Sequence, residues 1–138
     1  MYTILLPIGD EESLADAQAE FVTAYPTGDK SEVEVVATHV LRGVELDAPE
    51  AMRKPGRVGT VRRAVEKLED SGFSVSVKEA GSPPAEGIIE LAKEIDADHI
   101  VMGGHKRSPA GKAIFGSVTQ SVILDTDVPV TVTGGSED

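Results

Sequence analysis

The chain contains no cysteine, which excludes disulfides, thiol catalysis and cysteine-based zinc sites together. Basic residues are scarce, with 13 Lys and Arg against 24 Asp and Glu and a net charge of -11. A surface of that sign repels a phosphate backbone, so no nucleic-acid partner is expected. No apolar run reaches the length needed to cross a bilayer, and no membrane partner is expected either. The opening residues Met1-Tyr2-Thr3-Ile4-Leu5-Leu6-Pro7 carry no basic region and no cleavage site, so a cytoplasmic protein is expected. The acidic excess fits a halophilic, high-salt cytoplasm in which carboxylates keep the surface hydrated; the plainer reading is a soluble acidic domain. Signatures of catalysis are missing as well. There is no Gly-x-Ser-x-Gly elbow, no His-Glu-x-x-His and no Rossmann Gly-x-Gly-x-x-Gly. Gly111-Lys112-Ala113 looks like the end of a P-loop, but Ala113 lacks the hydroxyl that would hold Mg²⁺, and Gly104 lies too far before Gly111.

What is present is a glycine-punctuated loop. Gly103-Gly104 follows the apolar run His99-Ile100-Val101-Met102, and Gly116-Ser117 leads into the helix-like Val118 to Leu124. A loop of this kind between strand and helix presents backbone N–H groups to phosphate. Between Gly103 and Leu124 stand Lys106, Arg107 and Lys112 and no acidic residue. A cationic island in so acidic a chain suggests a bound anion, against the plainer reading of a solvated basic face. Ser117 with Gln120 forms a capping-box pattern, so its hydroxyl is expected to cap the helix, to hold phosphate, or both.

Length and patterning give one domain, 1–138, with 40% hydrophobic residues, enough for a single core. Tyr2 to Ile8 reads as a buried strand. Asp10-Glu11-Glu12 supplies a cap, assigned to Asp10, and an acidic first turn, with Gly9 serving the tight turn. Leu14, Ala17, Phe21 and Ala24 follow at helical spacing. Val33 to Leu41 is a second strand, and Arg42 to Gly59 a long connection with no clean period. Val61, Ala64, Val65 and Leu68 mark a helix ending near Ser71-Gly72, before the alternating Phe73, Val75 and Val77 of an edge strand. Ser82-Pro83-Pro84 opens a helix with Ser82 as its cap and Ala85, Ile88, Ile89, Ala92 and Ile95 on its buried face. His99 to Met102 and Val128 to Thr133 complete a β-α-β-α-β-α-β-α-β order. Such alternation predicts an α/β fold, a parallel sheet with helices on both faces. Ligands of such sheets sit beyond the strand carboxyl ends where strand order reverses, which favours the Gly9-Asp10 turn and the Gly103 loop. The histidines His39, His99 and His105 do not have metal-site spacing; His39 and His99 are expected to be packed or surface residues.

These residues resemble the universal stress protein family, whose signature Gly-x2-Gly-x9-Gly-[Ser/Thr] follows the fourth strand. Gly103, Lys106 in the second glycine's place and Gly116-Ser117 keep that spacing. The flanks Ala97 to Met102 and Asp127-Val128-Pro129-Val130, together with Thr38-His39-Val40 and Gly81 before Pro84-Ala85-Glu86, are similar too. The resemblance implies a five-stranded sheet in the order 3-2-1-4-5, the adenine nucleotide alpha hydrolase-like arrangement, and a homodimer through the last strand. It implies ATP or AMP as the ligand, with any Mg²⁺ riding on the phosphates, at most slow ATP hydrolysis, and action through conformation or partner binding. Val40 would contact adenine through its backbone, Gly103 would admit ribose and phosphates, and Gly116-Ser117 would hold phosphate oxygens. Ile8, Gly9, Asp10, Met102, Lys106, Arg107 and Val118 complete the implied site. Two departures bear on it: after Pro7-Ile8 the family's aspartate position holds Gly9, with Asp10 one place late, and Lys106 replaces a glycine. They favour the alternative, a nucleotide-free dimeric interaction module of the same family.

Overall fold

The computed structural model describes residues 1–25, 28–40, 58–104 and 116–134. Strands β1 (Tyr2–Ile8), β2 (Val33–His39), β3 (Ser74–Val77), β4 (His99–Gly103) and β5 (Val130–Thr133) form one sheet. They run parallel in the order β3-β2-β1-β4-β5. Helices α1 (Glu12–Ala24), α2 (Gly59–Asp70), α3 (Pro84–Glu94) and α4 (Ser117–Asp125) connect or flank them. The expected α/β fold and strand order are both present. So is the edge position of β3, a short strand with no fully buried residue.

Period-two alternation along the central strands sends side chains to two separate cores. Ile4, Leu6, Ile8, Val35, Ala37 and Val101 pack against α1 and α2. Leu5, Val36, Val40, Ile100 and Met102 pack against α3 and α4. Each fully buried aliphatic side chain contributes about 1.5–3 kcal/mol of transfer free energy, and β1, apolar on both faces, is where the two cores meet. α2 ends where expected: Gly72 has φ +97°, and the N–H groups of Ser71 and Phe73 both return to the Leu68 carbonyl, a left-handed stop that glycine accepts without strain.

Several boundaries differ from the sequence reading. The helix expected from Leu14, Ala17, Phe21 and Ala24 is α1, and the residues it buries fully are Ala15, Gln18, Ala19 and Val22. Gln18 is a polar residue on that face because its partners are backbone carbonyls. Asp10 does not cap α1, because the flanking position is Glu11 and no side chain bonds there. Ser82 does not cap α3 either; Pro83 holds that position. β2 stops at His39 and β5 starts only at Val130, the Pro129 carbonyl accepting the Ile100 N–H as the first bond of the β4–β5 ladder. The expected connection from Arg42 falls, up to residue 57, outside the described residues.

Candidate functional site

β1 is the strand from which the sheet grows both ways, to β2 and β3 on one side and β4 and β5 on the other. With β2 it pairs along its whole length, from Tyr2↔Val33 to Ile8↔His39. With β4 the register is Ile4↔His99 and Leu5↔Ile100 only. Past Leu5 the two strands part, and a crevice opens at their carboxyl ends, the position that strand-order reversal dictates.

Pro7 sits where the β1–β4 ladder stops. The Ile8 carbonyl bonds toward β2, to the Val40 N–H at 2.8 Å, so the Pro7 backbone faces the β4 side by alternation. Its missing N–H is the donor that would carry the β1–β4 ladder on to the Val101 carbonyl, so the ladder stops at Leu5. The Pro7 carbonyl still needs a donor, and so does that of Val101 across the gap. Gln18, only 1% exposed, supplies both: its Nε2 donates to Pro7 O at 2.6 Å and to Val101 O at 3.0 Å. A carboxamide has two N–H donors on one nitrogen, so a single side chain from α1 spans the split.

The cavity at this split holds about 160 Å³. Pro7, Gly9 and Asp10 form its β1 side, Val40 lies at the β2 end, and Met102 and Gly103 come from β4. Glu11, Leu14 and Gln18 enter from α1, and Thr119 from the first turn of α4. Of the residues expected at a site, the fold therefore brings Gly9, Asp10, Val40, Met102 and Gly103 together. Ile8 instead turns its side chain into the α1–α2 core, and its carbonyl is taken by the Val40 N–H and His39 Nδ1. Val118 is partly buried against the other core. Gly116 and Ser117 are exposed at the start of α4, beside Thr119. Lys106 and Arg107, with His105 and Lys112, lie outside the described residues.

The local chemistry revises several expected roles. A Cβ on Gly9 would meet nothing within 4 Å and its φ is not left-handed, so the turn itself does not demand glycine. A Cβ on Gly103 would lie 2.9 Å from Gln18 Oε1 and 3.2 Å from Leu14 Cβ; the missing side chain is space taken by α1. Gly116 is the flanking residue of α4, in extended conformation, with no side-chain cap. Ser117 is the first helical residue and does not complete a capping box. Asp10, largely exposed, stands with Oδ1 3.5 Å from His39 Nε2. His39 itself is buried, its Nδ1 2.9 Å from the Ile8 carbonyl, which makes Nδ1 the protonated nitrogen. The Gly9 carbonyl accepts from Thr60 Oγ1 at 2.7 Å, tying the start of α2 to the β1–α1 turn. Arg63 fastens the same two helices with a two-pronged bond to Asp16, 2.8 and 3.1 Å, which holds the Asp16 carboxyl below its usual range.

Gln18, Leu14 and Thr119 were not anticipated. For Gln18 a signal existed: it lies three residues after Ala15 and four before Val22, on one helical stripe. Among the described residues no group of three or more His, Asp or Glu side chains is placed to hold a metal, and no helix is long and apolar enough to cross a membrane.

The sequence model of the universal stress protein family matches residues 1–134. A universal stress protein from Methanocaldococcus jannaschii is 36% identical over 66 residues, 48% of this chain and 41% of the relative's own length. The aligned stretch thus spans well under two thirds of that curated protein. Its solved structure superposes more widely, with a TM-score of 0.74 at 27% identity over 99% of this chain and 97% of the other. A universal stress protein from Archaeoglobus fulgidus gives a TM-score of 0.71 at 28% identity, covering 96% and 98%. A further Archaeoglobus fulgidus structure, a complex with dAMP, shares the fold at a TM-score of 0.69 and 22% identity over 96% and 98%. A family match that begins with β1 and runs past the end of β5, on a sheet whose order reverses between β1 and β4, leads to one assignment: this chain belongs to the universal stress protein family.

Proposed function

We propose that this protein binds an adenine nucleotide, AMP or ATP, in the crevice between the parted ends of β1 and β4, and acts through conformation or partner binding. The observation that carries the reading is the cavity itself. It lies at the strand-order reversal, is walled by Val40 and Met102, and has the amino end of α4 beside it. Adenine would pack on Met102 and give its exocyclic amino protons to the Val40 carbonyl, because the Val40 N–H is committed to Ile8. Ile8 would contribute backbone only, and Gly9 and Asp10 would border the ribose. Phosphates would pass Gly103 toward Gly116, Ser117 and Val118, where the α4 backbone N–H groups and helix dipole favour an anion. An added Cβ on Gly116 would meet nothing within 4 Å, so the approach to that helix end is open. Lys106 and Arg107 would add charge from the loop, and Mg²⁺ would travel on the phosphates. The dAMP complex of the Archaeoglobus fulgidus relative supports the choice of ligand class.

The same reading makes the protein a single-domain cytoplasmic homodimer joined along β5, an edge strand with half-buried Val130 and Val132. Any ATP hydrolysis would be slow, because the sequence carries none of the usual hydrolase motifs. One observation favours the alternative, a nucleotide-free interaction module: the Asp10 carboxyl stands beside buried His39, its Oδ1 3.5 Å from Nε2.

Mass spectrometry of small molecules released on denaturing the purified protein, followed by calorimetric titration with AMP and ATP, separates the two. Recovery of AMP or ATP, or saturable binding of either, is the expected result. An empty protein that ignores both nucleotides would establish the interaction module.

A further inference from the structure

We infer that Gln18 is the positioning residue of the ligand crevice, and that Gly103 is glycine because Gln18 occupies the space its side chain would need. The ligand half of this inference rests on the nucleotide reading above; the structural half does not.

At the point where β1 and β4 separate, the Pro7 and Val101 carbonyls face each other across a gap that no sheet bond closes. Gln18 Nε2 lies 2.6 Å from one and 3.0 Å from the other. A nitrogen that must satisfy both carbonyls fixes the distance between the two strand ends, and with it the width of the crevice. Buried carbonyls do not give up their donors cheaply, so this width is stiff. With the nitrogen fixed, the rest of the carboxamide has one place to go. Its Oε1 lies 2.9 Å, and its Cδ 3.2 Å, from where a Cβ on Gly103 would stand. Gln18 and Gly103 both line the cavity, and Gly103 is the last residue of β4, from which the chain departs into the glycine loop. The side chain therefore controls two things at once: the separation of the strands and the course of the backbone that would meet the ligand. This differs from a glycine kept small for direct contact with ribose or phosphate, and the two roles have different consequences.

A double-mutant cycle on the full chain distinguishes them, read as AMP affinity by titration calorimetry in wild type, Gln18→Ala, Gly103→Ala and the double variant. Each single change is expected to weaken AMP about tenfold, and the double variant to bind within about threefold of Gln18→Ala alone, because removing Gln18 frees the space. The Leu14 Cβ at 3.2 Å remains in both backgrounds and accounts for that residual. If Gly103→Ala costs the same in both backgrounds, Gly103 answers to the ligand and the inference is overturned. A second arm needs no ligand. Amide hydrogen exchange in Gln18→Met should speed up about tenfold at Val40 and Gly104, whose N–H groups bond Ile8 and Thr133 beside the crevice. The Asp98 amide, bonded to Thr3 at the other end of the sheet, should change less than about threefold. Uniform acceleration, or none at Val40 and Gly104, overturns the positioning role. Should the wild type fail to bind AMP, the nucleotide reading falls, and the exchange experiment decides for or against Gln18 by itself.

Discussion

β1 and β4 meet differently at their two ends, and the contrast explains where this molecule can bind anything. At the amino end the strands are sealed. Thr3 N–H donates to Asp98 Oδ2 at 2.8 Å, and the Asp98 N–H returns a bond to the Thr3 carbonyl. His99 spans three strands, with Nδ1 3.3 Å from the Tyr2 hydroxyl and Nε2 2.7 Å from Thr131 Oγ1. Phe21, Tyr25 and Tyr2 close around its ring, with centroids 5.5 to 6.3 Å away. Burial pushes the Tyr2 phenol up to about 12, so it stays a hydroxyl throughout the neutral range. At the carboxyl end, among the described residues, one carboxamide, from Gln18, makes the side-chain bonds between the strands. A sheet edge closed by many groups is a fastening, and a split held by one is a site. Both ends are built from the same two strands, so what separates them is the side chains that α1 delivers: aromatic rings from its last turns, a single amide from its middle.

The largest effect should come from removing that single support. Gln18→Leu keeps the volume but leaves two buried carbonyls without donors. At about 1–3 kcal/mol for each, a loss near 3 kcal/mol is expected in urea unfolding, together with loss of AMP binding. A stability change below about 1 kcal/mol would mean the carbonyls find other partners and that the two ends are less unlike than argued. His99→Leu at the sealed end should cost less, about 1–2 kcal/mol. The half-buried Tyr2 and Thr131 hydroxyls can turn to water, and the aromatic packing remains. AMP affinity should stay within about twofold, because nothing at that end touches the crevice. Weakened AMP binding in this variant would break the separation of the ends.

The sealed end also carries a pH signature. Burial holds the His99 pKa below its ordinary 6.5, so the unfolded chain takes up that proton at a higher pH than the folded one. Stability contributed by neutral His99 is full above about 6.5 and declines as pH falls from there toward the folded value. The wild-type thermal midpoint should fall between about pH 7.5 and pH 5, and His99→Leu should remove part of that slope. His39 is present in both proteins, so the difference belongs to His99. An unchanged slope would show that the ring takes its proton as readily in the fold as outside it.

How much of this was legible in the sequence depends on what each residue bonds to. The apolar run of β1, the glycine stop of α2 and the alternation of strands and helices are local patterns, and the strand order came from the family resemblance that they support. Gly103 came into view because glycine loops at switch points follow general rules, and Val40 and Met102 came into view through the family resemblance. Gln18 did not, since hydrophobic periodicity treats a glutamine as a surface residue, while its burial depends on two carbonyls far from it in sequence. Phe21 was placed on its helix by spacing, but its partners, Tyr25 and His99, form a cluster that no helical spacing encodes. The caps assigned to Asp10 and Ser117 followed residue preference, whereas the turns place Glu11 and Gly116 at those positions.

Ser117 provides the finest test of the open end, and the smallest effect on stability. A capping hydroxyl would be worth about 1 kcal/mol. Ser117, however, is exposed, lies inside the helix and makes no cap bond. Ser117→Ala should therefore change stability by less than about 0.5 kcal/mol, since alanine is at least as good a helix former in that position. If the hydroxyl and the α4 amino end receive phosphate, the same substitution should weaken AMP about tenfold and leave adenosine, which has no phosphate, almost unaffected. The two ligands thus divide the site: a loss common to both would place Ser117 near the nucleoside, and a loss in neither would remove it from the site. Because the fold does not depend on this side chain, any change in binding can be read as contact and not as damage.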